Sequence, residues 1–215
     1  FAVLNADDAS CVEYGRRTRA RKVWFSTTRA VSPGLYADSE RLYCDGAPFM
    51  SIADIPLRGR HNVENTLAAA GAAHMAGVPL EAIAAAVRTF PGVEHRIEYV
   101  RTLCGVDFYN DSKATNVDAT VKSIEAFPGR LWIILAGKDK GSDYTVLQPL
   151  LQEKARAALL IGAAAPKIAE HLGDCVRLIF AGTLEAAVRE AWSEAQPGDT
   201  VLLAPACASF DQFDS

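Results

Sequence analysis

From about residue 93 onward, short apolar runs alternate with helical patterns at lengths suited to βαβ units, and this rhythm limits the fold more than any other feature of the chain. Strands are predicted near 97–103, 106–110, 131–136, 157–161, 176–180 and 200–204. Helices are predicted near 117–126, 145–156, 164–172 and 184–195. That order implies an α/β fold whose mostly parallel sheet is covered by helices on both faces. The first two strands, separated only by Cys104-Gly105, are expected to form a hairpin.

Upstream the texture differs. Residues 1 to about 58 read as β-rich and short-turned, with Ala2-Val3-Leu4, Val23-Trp24-Phe25-Ser26 and Arg41-Leu42-Tyr43-Cys44 set between Asp, Pro and Gly. Asn62 to Met75 then reads as an alanine-rich helix closed by Gly77-Val78-Pro79. Pro79 opens a second helix, Leu80 to Thr89, from its first position. Phe90-Pro91-Gly92 ends that helix and places a domain boundary between 1–92 and 93–215. The 215 residues suit about one and a half domains, at roughly 100–200 residues each. A start within a strand and a stop just past a polar loop lead us to expect part of a longer protein.

Half the residues are hydrophobic and 22% are charged, enough apolar material for a full core. The net charge of -4 offers no basic field for a nucleic acid backbone. The one dense basic run, Arg16-Arg17-Thr18-Arg19-Ala20-Arg21-Lys22, reads as a solvated edge. Five widely spaced cysteines form no CxxC pair, which fits a reducing, cytoplasmic compartment. No apolar stretch approaches the roughly 18 residues of a membrane span, so neither nucleic acid nor membrane is an expected partner.

Open α/β sheets bind ligands at the carboxyl ends of their strands, and three of the predicted strands end in polar segments. Val106-Asp107-Phe108-Tyr109 leads into Asn110-Asp111-Ser112-Lys113-Ala114-Thr115-Asn116. Asp111 there suits a sugar hydroxyl, and Lys113 and Thr115 suit an anion. A competing reading makes Thr115-Asn116-Val117-Asp118 a capping box. Leu131 to Ala136 leads into Gly137-Lys138-Asp139-Lys140-Gly141, whose lysines suit a carboxylate or phosphate or simply a solvated loop. Thr200 to Ala204 leads into Pro205-Ala206-Cys207-Ala208-Ser209, where Ser209 suits an anion and Cys207 suits packing better than nucleophilic attack. A fourth strand end, Ile161-Gly162, carries no charge and reads as structural.

Two further clusters matter. Asn62 and Asn65, three apart at a helix start, share one face near the exposed N-H groups that favour a nucleotide, unless Asn62 is merely an N-cap. His95-Arg96 lies in the linker, where the arginine fork suits a nucleotide or is an ordinary surface charge. Neither a G-x-x-x-x-G-K-[ST] loop nor a G-x-G-x-x-G fingerprint is present.

Taken in order, Gly59 to Asn65, His95-Arg96-Ile97-Glu98, Asn110 to Asn116 and Leu203 to Phe213 resemble the Mur ligases, over essentially the whole chain. The last two segments resemble the branch of that family that adds D-glutamate. The resemblance implies that 1–92 is the rear part of a partial α/β central ATP-binding domain, and 93–215 a Rossmann-like C-terminal domain without its end. It assigns Asn65 to adenine, Arg96 and Asp111 to the ribose and phosphates, and Asn62 to the surrounding pocket. Lys113, Thr115, Lys140 and Ser209 become a clamp for the carboxylates of D-glutamate, with Lys113 and Lys140 also taken as catalytic. Lys138 departs from the family pattern by replacing a glycine.

The implied reaction phosphorylates the carboxylate of UDP-N-acetylmuramoyl-L-alanine from ATP and joins it to D-glutamate, with Mg2+ bound by residues upstream of Phe1. The resemblance further implies a cytoplasmic monomer, a hinge at His95-Arg96, and an inactive isolated chain. A ligase adding another amino acid or polyglutamate, or a non-catalytic nucleotide- or anion-binding module, remain as alternatives.

Overall fold

A computed structural model describes residues 1–208, which divide into two compact units, Phe1–Gly92 and one beginning at Val93. In the first, β1 (Ala2–Asn5), β2 (Lys22–Ser26), β3 (Gly34–Ala37), β4 (Arg41–Cys44) and β5 (Ala47–Ser51) form one sheet in that order. β1, β2 and β3 run parallel, and β4 and β5 continue the sheet antiparallel. Between β1 and β2 lies α1 (Ala9–Arg17), which the sequence reading passed over. Gly15 is its only buried residue; a signal for it is Asp8, whose side chain accepts from Cys11 N at 2.7 Å as the N-cap.

α2 (Arg60–Met75) lies on the sheet, and α3 (Leu80–Arg88) packs against α2 and β5. Their Leu67, Ala70 and Ile83 join Val23, Phe25, Leu35, Leu42 and Met50 in the core. Each such Leu, Ile or Val contributes about 1.5–3 kcal/mol of transfer free energy. α2 starts two residues before the expected Asn62, because Gly59, at φ 96°, takes the N-cap position. Pro79 likewise stands at the N-cap of α3 with an extended backbone, not inside the helix.

The second unit holds a six-stranded sheet in the order β10-β9-β8-β11-β7-β6. The strands are β6 (Glu98–Leu103), β7 (Val106–Asn110), β8 (Leu131–Ala136), β9 (Ala155–Ile161), β10 (Leu178–Gly182) and β11 (Thr200–Ala206). All neighbours are parallel except β6 and β7, the expected hairpin. Cys104 and Gly105 turn it at φ 46° and 80°, the positive values that a two-residue turn with the right twist requires.

The strand period of two divides the core. Leu131, Ile133, Leu135, Leu160 and Leu202 face one side with Ile124 of α4 (Val117–Glu125), Leu151 of α5 (Gln148–Lys154) and Ile168 of α6 (Ala165–Leu172). Trp132, Ile134, Leu159 and Val201 face the other with Ala187 and Ala191 of α7 (Leu184–Glu194). The fold is the expected α/β sheet with helices on both faces. The helix expected over 145–156 is a 3-10 turn, Thr145–Leu147, followed by α5. It stops at Lys154 because Ala155 already pairs with Leu131 in the sheet.

Candidate functional site

β11 lies between β7 and β8, so the three polar strand ends are neighbours. Backbone hydrogen bonds stitch them together: Asp111 N donates to Leu203 O at 2.8 Å, Ala206 N to Ala114 O at 2.9 Å and Lys138 N to Ala208 O at 2.8 Å. Gly137 makes the closest approach, since a Cβ built on it would lie 2.4 Å from Ala208 O, and its φ is 106°. Sequence separation of roughly a hundred residues is thus closed into one surface.

In the 110–116 segment, Asp111 is buried and accepts from the Ser123 hydroxyl of α4. Lys113 and Thr115 are exposed. The capping-box reading is corrected: Asn116, not Thr115, is the N-cap of α4, accepting from Ala119 N at 2.8 Å. Thr115 is therefore released from the helix start. Its backbone N-H donates to Lys113 O at 2.8 Å in a tight turn.

Lys138 and Lys140 are exposed, whereas Asp139 between them is half-buried. Asp139 accepts from Tyr144 Oη and Lys167 Nζ, each at 2.8 Å, and from the N-H groups of Gly141 and Ser142 at 3.0 and 3.1 Å. Lys167 first, with the other donors, holds its carboxyl well below the usual carboxylate range despite some desolvation. Tyr144 is fully buried, and burial pushes its phenol far up, so it stays a neutral donor. Its hydroxyl lies 2.7 Å from Cys207 Sγ, which is itself 3% exposed and packs in the core. Among the described residues, no salt bridge or side-chain hydrogen bond engages the ammonium groups of Lys113, Lys138 or Lys140.

The linker segment is fastened to this surface. His95 O accepts from Lys113 N at 3.1 Å, and Asn110 Nδ2 lies 3.0 Å from His95 Nδ1. Glu98 accepts from His95 N at 2.8 Å. His95 and Ile97 both have positive φ, 66° and 44°, which is strained for a β-branched residue such as Ile97. Arg96 between them is exposed.

In the first unit Asn62 is buried and is not an N-cap. Its amide donates to Arg58 O at 2.7 Å, and its side-chain oxygen accepts from Asn65 Nδ2 at 3.1 Å. Asn65 is exposed, so Asn62 fastens what Asn65 presents. Ser209 lies outside the described residues.

Lys167 and Tyr144 were missed in the sequence. Their signal is tertiary, because Lys167 comes from the helix after the uncharged strand end. An apolar groove of about 530 Å³ lies on the α7 face by Phe108, Val188 and Trp192, and none of the three lysines lines it. Among the described residues, no group of three His, Cys, Asp or Glu side chains is placed for a metal, and no helix is long and apolar enough to cross a membrane.

Comparison with known proteins is consistent at every level. A family model described as "Mur ligase, glutamate ligase domain" matches residues 95–207. The chain is 62% identical over 215 residues to a UDP-N-acetylmuramoylalanine–D-glutamate ligase of Solibacter usitatus, covering 100% of this chain and 49% of that protein. It is 44% identical over 218 residues to the protein of that name from Geobacillus kaustophilus, covering 99% and 48%. The chain thus spans about half the length of the curated relatives it matches. Among solved structures, a UDP-N-acetylmuramoylalanyl-D-glutamyl-2,6-diaminopimelate–D-alanyl-D-alanyl ligase from Acinetobacter baumannii aligns with a TM-score of 0.75 at 16% identity, over 99% of this chain and 49% of that one. A MurF ligase from Thermotoga maritima, solved in complex with ADP, aligns at 0.71 and 16%, over 94% and 49%. At such identity these two speak for the fold alone. Because that family model matches more than half of this chain, and the second unit has the α/β sheet expected, the chain belongs to the Mur ligase family.

Proposed function

We propose that the full-length protein is the D-glutamate-adding ligase of this family. ATP phosphorylates the carboxylate of UDP-N-acetylmuramoyl-L-alanine, and the amine of D-glutamate attacks the resulting acyl carbon and expels phosphate. Residues 1–92 belong to the rear of the central ATP-binding domain and the residues from 93 on to the C-terminal domain. The names of the relatives at 62% and 44% identity support the substrate assignment. The observation that carries it in the geometry is the set of three exposed lysines on two loops flanking β11.

D-glutamate brings two carboxylates, and ammonium groups without partners among the described residues suit them as point charges. Lys113 and Lys140, with Thr115 and Ser209, hold and orient the amino acid, so that its amine faces the acyl phosphate. Within the first unit Asn65, fastened by Asn62, is the residue we assign to adenine; within the second, Arg96 and Asp111 are those we assign to a ribose and phosphates. The described residues hold no cluster fit for Mg2+, and none of the chemistry assigned to them runs through it. We place the reaction in the cytoplasm and the protein as a monomer; among the described residues no cysteine forms a disulfide, as a reducing compartment allows.

The test is D-glutamate-dependent phosphate release by the full-length protein. Lys113→Ala and Lys140→Ala should each raise the KM for D-glutamate by roughly 10- to 100-fold, the size of a lost charged hydrogen bond of about 1.5–3 kcal/mol. Unchanged kinetics in both variants would remove them from the site. Release driven equally by another amino acid would assign the protein to a different branch.

A further inference from the structure

The lysine loop is held from outside the motifs that carry the proposed site. Lys138 makes an isolated antiparallel bridge with Ala208, so the loop leaves β8 extended and successive side chains alternate. Asp139 turns inward while Lys138 and Lys140 turn outward. Two contacts hold Asp139 in from the protein side. One is Tyr144 Oη, which is buried and reaches Cys207 at the exit of β11. The other is Lys167 Nζ on α6, whose ammonium also lies 5.7 Å from the centroid of the Tyr144 ring.

We propose that Lys167 is a positioning residue for the amino-acid site, its ion pair with Asp139 fixing the loop so that Lys140 presents its ammonium to a substrate carboxylate. This rests on the D-glutamate reading for the identity of that substrate, not for the coupling of Lys167 to the loop. Without Lys167 the carboxylate keeps the turn bonds from Gly141 and Ser142 and the phenol of Tyr144, so the loop retains its fold and loses its restraint toward α6. The side chains of Lys167 and Asp139 are 34% and 24% exposed, so solvent screens the pair and its removal costs little global stability. The effect falls on orientation, which ligand binding reads far more sharply than unfolding does.

Lys167→Met and Lys167→Arg in the full-length protein test this. Lys167→Met should raise the KM for D-glutamate about 3- to 10-fold, leave kcat and the KM values for ATP and the nucleotide substrate within twofold, and be largely rescued by Lys167→Arg. Hydrogen exchange across the 137–144 segment should accelerate severalfold in Lys167→Met, with β8 unchanged. Unchanged KM together with unchanged exchange overturns the proposal. A common fall in melting temperature, kcat and every KM, with no rescue by arginine, also overturns it, because the lysine is then only structural. If the unaltered protein shows no D-glutamate dependence, the substrate reading has failed, and the exchange measurement alone decides the coupling of Lys167 to the loop.

Discussion

The two ends of the six-stranded sheet use charge in opposite ways. At the amino end Asp199 is 3% exposed and accepts from Arg130 Nε at 2.7 Å, Gln196 N at 2.9 Å and Trp132 Nε1 at 3.1 Å. Arg130 also donates to Pro197 O at 3.1 Å. That network closes on itself. At the carboxyl end Lys113, Lys138 and Lys140 stand exposed, while the acids Asp111 and Asp139 are drawn inward. Stability favours satisfied groups, because each buried donor or acceptor left open costs about 1–3 kcal/mol. Exposed cations cost little but also stabilise little, so the fold itself does not call for them on adjoining loops, whereas the proposed amino-acid site does.

The comparison predicts a dissociation between the ends. Asp199→Ala leaves the buried Trp132 N-H without an acceptor, so unfolding free energy should fall by about 2–4 kcal/mol with the KM for D-glutamate unmoved. A denaturant midpoint equal to that of the unaltered protein would break the contrast, as would loss of stability in Lys113→Ala or Lys140→Ala.

Acid should act on both ends with the same sign. Burial pushes the Asp199 carboxyl up, but hydrogen bonds from Gln196, Trp132 and Arg130 outweigh it and hold the group below its ordinary range. Asp139 is lowered chiefly by Lys167. A carboxyl depressed in the folded state contributes stability that is complete above its unfolded value, near pH 3.9, and lost as pH falls through the folded value. Stability should therefore decline from about pH 5 downward. Asp199→Asn should flatten that decline clearly and Asp139→Asn only slightly, because solvent screens its pair with Lys167, but only Asp139→Asn should also weaken D-glutamate use. Parallel acid profiles for Asp199→Asn and the unaltered protein would remove Asp199 from the account.

The smallest effect sharpens the boundary between fold and site. Asn116→Ala removes the cap of α4 and should cost about 1 kcal/mol in thermal unfolding. If it instead changes substrate use as much as Lys113→Ala, the cap belongs to the site as well.

Most of the sheet was legible because the core strands are uninterrupted apolar runs, such as Leu131 to Ala136, that can be nothing but buried. α1 was not, since nine residues that end in Arg16-Arg17 and bury only Gly15 carry little apolar material to read. Capping was misassigned by one residue, Thr115 for Asn116, because both side chains can cap and only backbone geometry selects between them. For the site, the exposure of Lys113, Thr115 and Lys140 agrees with their reading as strand-end residues. The roles of Asp139, Tyr144 and Lys167 were illegible: a charge between two lysines looks solvated until a helix that begins some 25 residues later supplies its partner.

Local order therefore determined the α/β class, the hairpin and the positions of the polar strand ends, because hydrophobic period and turn chemistry act over a few residues. Tertiary structure decided which strand ends became neighbours, which of the charges around Asp139 turned inward, and that an uncharged strand end lends Lys167 to the lysine loop. Those choices depend on strand order and on donors distant in sequence, and no local pattern encodes either.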